Sequence, residues 1–103
     1  MTLEQWRARV DEIDEAIVRL LNERAQCAVA IGRIKKQQQI PLYQPDRERD
    51  VIELARALTI AIGGPLGPGA IARLFERIID EARGLEIARV TEEDRDEDAG
   101  NAG

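Results

Sequence analysis

The chain has 103 residues, with 15 Lys+Arg against 20 Asp+Glu, no histidine, and a formal net charge of -5. That length supports one small domain. The missing histidines exclude His-dependent triads, imidazole proton shuttles and the commonest metal ligand, and a single cysteine, Cys27, excludes an internal disulfide.

The opening Met1-Thr2-Leu3-Glu4 lacks the basic-then-apolar pattern of a signal segment. The first element is a helix expected from about Leu3 to Gln39. Its apolar residues recur as Leu3, Trp6, Val10, Ile13, Ile17, Leu20, Cys27, Ile31 and Ile34. Steps alternating between three and four give a helix with a coiled-coil seam. Pro41 and Pro45 bracket a loop over Ile40–Gln44. A second helix begins near Pro45, a residue favoured in a first turn, and Asp46 and Glu48 suit its positive end. It carries Val51, Leu54, Ala55, Leu58 and Ile62. Residues Gly63 to Gly69 form a Gly/Pro-rich break. The third helix is expected from about Ala70 to Ala88, with Ile71, Leu74, Phe75, Ile78, Ile79, Ala82 and Leu85 on one side. Trp6 and Phe75 read as core residues. Gly32 reads as a point of close helix approach, since an interior Gly costs about 1 kcal/mol against Ala.

Residues 91–103 hold six acids and one base, which leaves 14 acids and 14 bases in residues 1–90. The chain therefore divides into a neutral body, 1–90, and an acidic tail, 91–103, expected to be disordered and dispensable for activity. A neutral body is a poor general binder of nucleic acid. No apolar run reaches the length of a membrane span. These features predict a soluble, cytoplasmic protein with no metal or built-in cofactor and no nucleic-acid or membrane partner.

The first helix is too long for a compact monomer. About 37 residues at 1.5 Å each span roughly 55 Å, against a radius of gyration of about 13 Å for a compact chain of this size. Its apolar seam continues to the far end and needs a cover. The expected fold is all-α, with three helices per chain in an intertwined, two-fold homodimer.

Cations interrupt the apolar pattern. The seam steps by seven through Leu3, Val10, Ile17, Arg24 and Ile31, so Arg24 stands where a core residue is expected. Lys35 follows eleven residues later on nearly the same face, about 16 Å along the axis. Arg47 leads the stripe Val51, Leu54, Leu58. Isolated buried cations cost several kcal/mol and need partners. One solution is structural: Arg24 pairs with an acid such as Glu48 and fixes dimer register. The other is a receptor for a small polyanion, particularly a dicarboxylate.

Several ordered fragments now join up. They are Arg7, Asp14-Glu15, Leu20-Leu21, Glu23-Arg24, Val29, Gly32 and Lys35, then Tyr43-x-Pro45-x-Arg47-Glu48, then Ile71, Leu74-Phe75 and Ile78-Ile79. In this order and spacing, Leu3 to Ala88 resembles the all-helical chorismate mutases. The resemblance implies an intertwined dimer with two equivalent sites. It also implies a cofactor-free Claisen rearrangement of chorismate to prephenate, on the route to phenylalanine and tyrosine. By the same resemblance, Arg24 binds one substrate carboxylate, and Arg7 from the other subunit helps Arg47 with the second. Lys35 bridges a carboxylate and the ether oxygen, and Glu48 accepts from the ring hydroxyl. Three positions depart from patterns seen in some members. Gln44 stands in place of Asp, Ala82 in place of Ser, and Glu86 in place of Gln, opposite Lys35 across the ether oxygen. Only a protonated Glu86 can donate to that oxygen.

Two other readings stay open at this level. An isochorismate–pyruvate lyase would use the same cation cage on a nearly identical substrate. A non-catalytic helical dimer, regulatory or scaffolding, would keep the seam without needing the cage.

Overall fold

The computed structural model describes residues 1–101, with burial and side-chain contacts described through residue 96. It contains three helices in the order α1 (Leu3–Gln37), α2 (Pro45–Ile62) and α3 (Pro68–Asn101), and no strand among the described residues.

A capping box starts α1. The Thr2 hydroxyl accepts from the Gln5 amide at 3.2 Å, and the Gln5 side chain accepts from the Thr2 amide at 2.8 Å. Two of the orphan donors of a first turn are thereby satisfied. The helix ends at Gln37, two residues before the expected end, because Gln39 takes a positive φ of 59° and turns the chain toward Pro41. Lys35 and Lys36 occupy its last turn, at the negative end of the dipole.

Pro45 begins α2 with Asp46 and Glu48 in the first turn. The helix stops at Gly63, whose φ of 72° closes a hydrogen bond from its amide to the Thr59 carbonyl at 3.1 Å. A side chain is disfavoured in that left-handed conformation. The Thr59 hydroxyl donates to the Leu66 carbonyl at 2.8 Å and ties down the break between α2 and α3.

The third helix differs most from expectation. It starts at Pro68, close to the expected Ala70, but it does not stop near Ala88. The acidic segment expected to lack structure continues the helix to Asn101. Nothing from Leu85 to Asp98 is a helix breaker. The extension also finds basic partners that composition alone does not reveal. Arg33 on α1 bonds Glu93 at 2.7 Å, and Lys36 pairs with Asp94. Residues 102–103 of the expected tail lie outside the described residues.

Helix α3 packs against both α1 and α2 and is the central element. The chain measures 65 × 31 × 15 Å, with a radius of gyration of 18.1 Å. A compact chain of this length would have about 13 Å. Its buried apolar residues are small or few: Ala28, Ala55, Ala72 and Ile79. The first half of α1 contributes none of them. Leu3, Trp6, Val10, Ile13, Ile17 and Leu20 remain 43–63% exposed. Trp6, expected in a core, is uncovered within this single chain. Among the described residues, no helix is long and apolar enough to cross a membrane.

Candidate active site

The second half of α1, the first turns of α2 and the middle of α3 enclose a cavity of about 480 Å³. Each helix contributes a stripe with steps of three or four. Arg24, Ala28, Ile31 and Lys35 come from α1. Gln44, which precedes α2, and Arg47, Glu48 and Val51 from its start come next, with Ile79, Ala82, Arg83 and Glu86 from α3. These are the spacings that place side chains on one face of a helix. Four cationic side chains thus face two carboxyls across an apolar floor.

Lys35 and Glu86 form the buried end of the cavity. The Lys35 ammonium lies 3.7 Å from Glu86 Oε2, and their side chains are only 14% and 11% exposed. Lys35 also donates to the Leu42 carbonyl at 3.1 Å, which anchors the loop between α1 and α2. Gly32 makes this arrangement possible. A Cβ at that position would sit 3.3 Å from Glu86 Cγ and 3.4 Å from Glu86 Cβ. The close approach expected of Gly32 is therefore an approach to Glu86. Burial pushes the Glu86 carboxyl above its ordinary pKa. The positive charge of Lys35 opposes that shift, Glu48 adds to it and Arg24 weakly opposes it. Desolvation prevails, so the protonated form persists to higher pH than in a solvated glutamate.

Glu48 is held differently from either sequence reading. Arg83 grips it with two prongs: Nε donates to Oε2 at 3.0 Å and Nη2 to Oε1 at 2.6 Å. The Arg83 guanidinium also bonds Asp80 at 3.1 Å and lies over the Tyr43 ring, 4.9 Å from its centroid. The Glu48 carboxylate raises the pKa of Arg83 beyond its already high ordinary value. The structural alternative of an Arg24–Glu48 bridge is not formed; Arg83 takes that place. The apolar stripe of α3 does not by itself single out Arg83. The signal was present, because Arg83 lies four residues after Ile79 and three before Glu86, on their face of the helix.

Arg24 and Arg47 line the cavity with no carboxylate at ion-pair distance among the described residues. Arg24 is half-buried and Arg47 is exposed at the rim. Gln44 and Ala82 also line the cavity, Gln44 as the residue preceding α2 and Ala82 as a half-buried apolar wall. Arg7 stands apart. It is exposed on the first half of α1 and does not line its own chain's cavity. Seventeen residues separate it from Arg24, about 26 Å along the helix.

A family model described as chorismate mutase type II matches residues 6–87. The chain belongs to the type II chorismate mutase family. It is 39% identical over 85 residues to the bifunctional chorismate mutase/prephenate dehydratase of Aquifex aeolicus, covering 82% of this chain and 24% of that protein. The corresponding bifunctional protein of Neisseria gonorrhoeae is 41% identical over 80 residues, 78% of this chain and 21% of that protein. The chain thus spans about a quarter of the length of these curated relatives. In three dimensions it is similar to the form II structure of chorismate mutase from Thermus thermophilus. The TM-score is 0.76 at 31% identity, covering 82% of this chain and 92% of that one.

Proposed function

We propose that the protein is a chorismate mutase, rearranging chorismate to prephenate without a cofactor. One observation carries this reading. Arg24 and Arg47 are unmatched cations on a cavity that also holds the Lys35–Glu86 pair. Unmatched cations around an apolar floor suit a small dicarboxylate. The rearrangement breaks an ether C–O bond and forms a C–C bond within one molecule. It needs no nucleophile and no obligatory proton transfer. It needs the substrate held in its folded, reactive conformer and positive charge or donors where the ether oxygen gathers negative charge.

In this reading Arg24 binds one carboxylate and Arg47 the other, and Glu48 accepts from the ring hydroxyl. Lys35 donates to the ether oxygen, and a protonated Glu86 donates from the opposite side. Lys35 has Glu86 as its counter-charge at 3.7 Å. Protonation of Glu86 frees that ammonium for the substrate. Gln44 and Ala82 line the pocket, and Ala82 supplies no hydroxyl for a carboxylate.

The functional unit in this reading is an intertwined homodimer. What supports this is the apolar seam on the first half of α1, which is uncovered within one chain and would be buried if the same patch on two copies met across a two-fold axis. The dimer would also bring Arg7 of the other subunit to the carboxylate near Arg47. The enzyme would act in the cytoplasm, on the route toward phenylalanine and tyrosine.

The test is to supply purified protein with chorismate and, separately, isochorismate, and to identify the products. Prephenate from chorismate is expected. Pyruvate and salicylate from isochorismate as the main reaction would instead make it a lyase. A rate no faster than the uncatalysed one on both would leave a non-catalytic dimer.

A further inference from the structure

We propose that Arg83 is a positioning residue of this site: its two-pronged grip, braced by Tyr43, sets the direction in which Glu48 faces the substrate. The inference rests on the mutase reading, in which Glu48 accepts from the ring hydroxyl.

Glu48 sits in the first turn of α2, where an unrestrained side chain has three rotatable bonds and no fixed direction. Contacts of 3.0 and 2.6 Å to both of its oxygens define one plane and one orientation for the carboxylate. A bidentate guanidinium does this where a lysine cannot. Arg83 is itself restrained, by Asp80 one turn earlier and by the Tyr43 ring beneath it. The carboxylate is thus held from α3 while its backbone belongs to α2.

The pairing has a second effect. Glu48 shares a cavity with Arg24 and Arg47. A carboxylate free to swing would pair with one of them and close the cavity as an internal salt bridge. Because Arg83 satisfies Glu48, both arginines remain open to an incoming anion. Arg83 therefore acts through Glu48 and does not need to touch the substrate.

A simple staple between α2 and α3 would use the same contacts, so the test must separate the two. Arg83→Ala and Arg83→Lys are made in the wild type and in Glu48→Gln, and kcat/KM for chorismate is measured in all six proteins. Thermal unfolding and dimer mass are recorded for each. Acting through Glu48, Arg83→Ala should lower kcat/KM about 10- to 100-fold in the wild type and less than about threefold in Glu48→Gln. Arg83→Lys keeps the charge but not the fork. It should recover most of the unfolding temperature and only part of the rate. If Arg83→Ala does not fold, Arg83→Lys carries the same two-background comparison with a smaller factor. An equal loss in both backgrounds, or a rate in Arg83→Lys that recovers in step with its unfolding temperature, overturns the role of Arg83 and leaves the mutase reading intact. A wild type that leaves chorismate at its uncatalysed rate overturns the mutase reading, and the role of Arg83 with it.

Discussion

The two halves of α1 share one helix and one periodicity but face different surroundings. From Leu3 to Leu20 the seam is apolar, and nothing in the same chain covers it. From Arg24 to Lys35 the seam carries cations, and α3 packs over it, burying Ala28 and Gly32. The first half presents apolar side chains to solvent, and the second half sets cations among small buried residues on the face that meets α3. Exposed apolar steps call for another surface, since burying one such side chain fully stabilises by about 1.5–3 kcal/mol. Cations at core positions call for a charged ligand, since burial without one is costly.

The strongest way to break this contrast is at Lys35. Lys35→Ala should lower kcat for chorismate by about 10²- to 10³-fold, the range for losing one donor aimed at a developing oxyanion. The helical signal and the dimer mass should stay as in the wild type. A loss below fivefold would remove Lys35 from the ether oxygen.

Arg7 tests whether the first half completes the second half's site. Arg7→Ala alone should cost about 10- to 100-fold. Co-folding it with Lys35→Ala in equal amounts should then recover about a quarter of wild-type activity. Half the dimers are mixed, and each mixed dimer regains one intact site of two. No recovery would mean that Arg7 serves its own chain or none.

Glu86 sharpens the picture of the covered half. Its pKa is raised by burial, and in the proposed mechanism its protonated form is the donor. Activity should be highest below that pKa and fall about tenfold per pH unit above it. A bound dianion should push the fall to higher pH in kcat than in kcat/KM. Glu86→Gln donates at every pH and should flatten both profiles. Coincident profiles for the two proteins between pH 5 and 8 would take Glu86 off the ether oxygen.

The smallest effect is expected at the far end of α3. Deleting Thr91–Gly103 removes the partners of Arg33 and Lys36 but nothing that lines the cavity. Activity should stay within about threefold, because half-exposed pairs contribute about 0.2–1 kcal/mol each. Melting should drop by a few degrees at low salt, with the gap narrowing at 1 M salt. A large loss of activity would give the acidic segment a role in the site.

Most of the fold was legible because α1 and α2 carry local punctuation. Pro41, Pro45 and the break that begins at Gly63 start or stop helices for stereochemical reasons that act within a few residues. The end of α3 was not legible. Composition marks residues 91–98 as acidic and solvated, but their helicity is supported by Arg33 and Lys36, which are about sixty residues away in sequence. The cavity was legible as a pattern of cations out of place. Arg24, Lys35 and Arg47 were found because they interrupt apolar stripes. Arg83 was missed because it stands beside the α3 stripe and shows its role only once Glu48 is opposite. Pairings between helices depend on which faces meet, and no single helix records that.

Gly32 has a consequence for acidity. The distance between α1 and α3 at that point determines how little water reaches the Glu86 carboxyl, and dryness is the main reason its pKa is raised. A methyl group there would gain about 1 kcal/mol of helix propensity while pressing on Glu86 Cγ. Its effect would be felt less in how firmly the chain folds than in how readily one proton leaves. The missing side chain at residue 32 works as a spacer, and what it calibrates is the pH at which Glu86 gives up its proton.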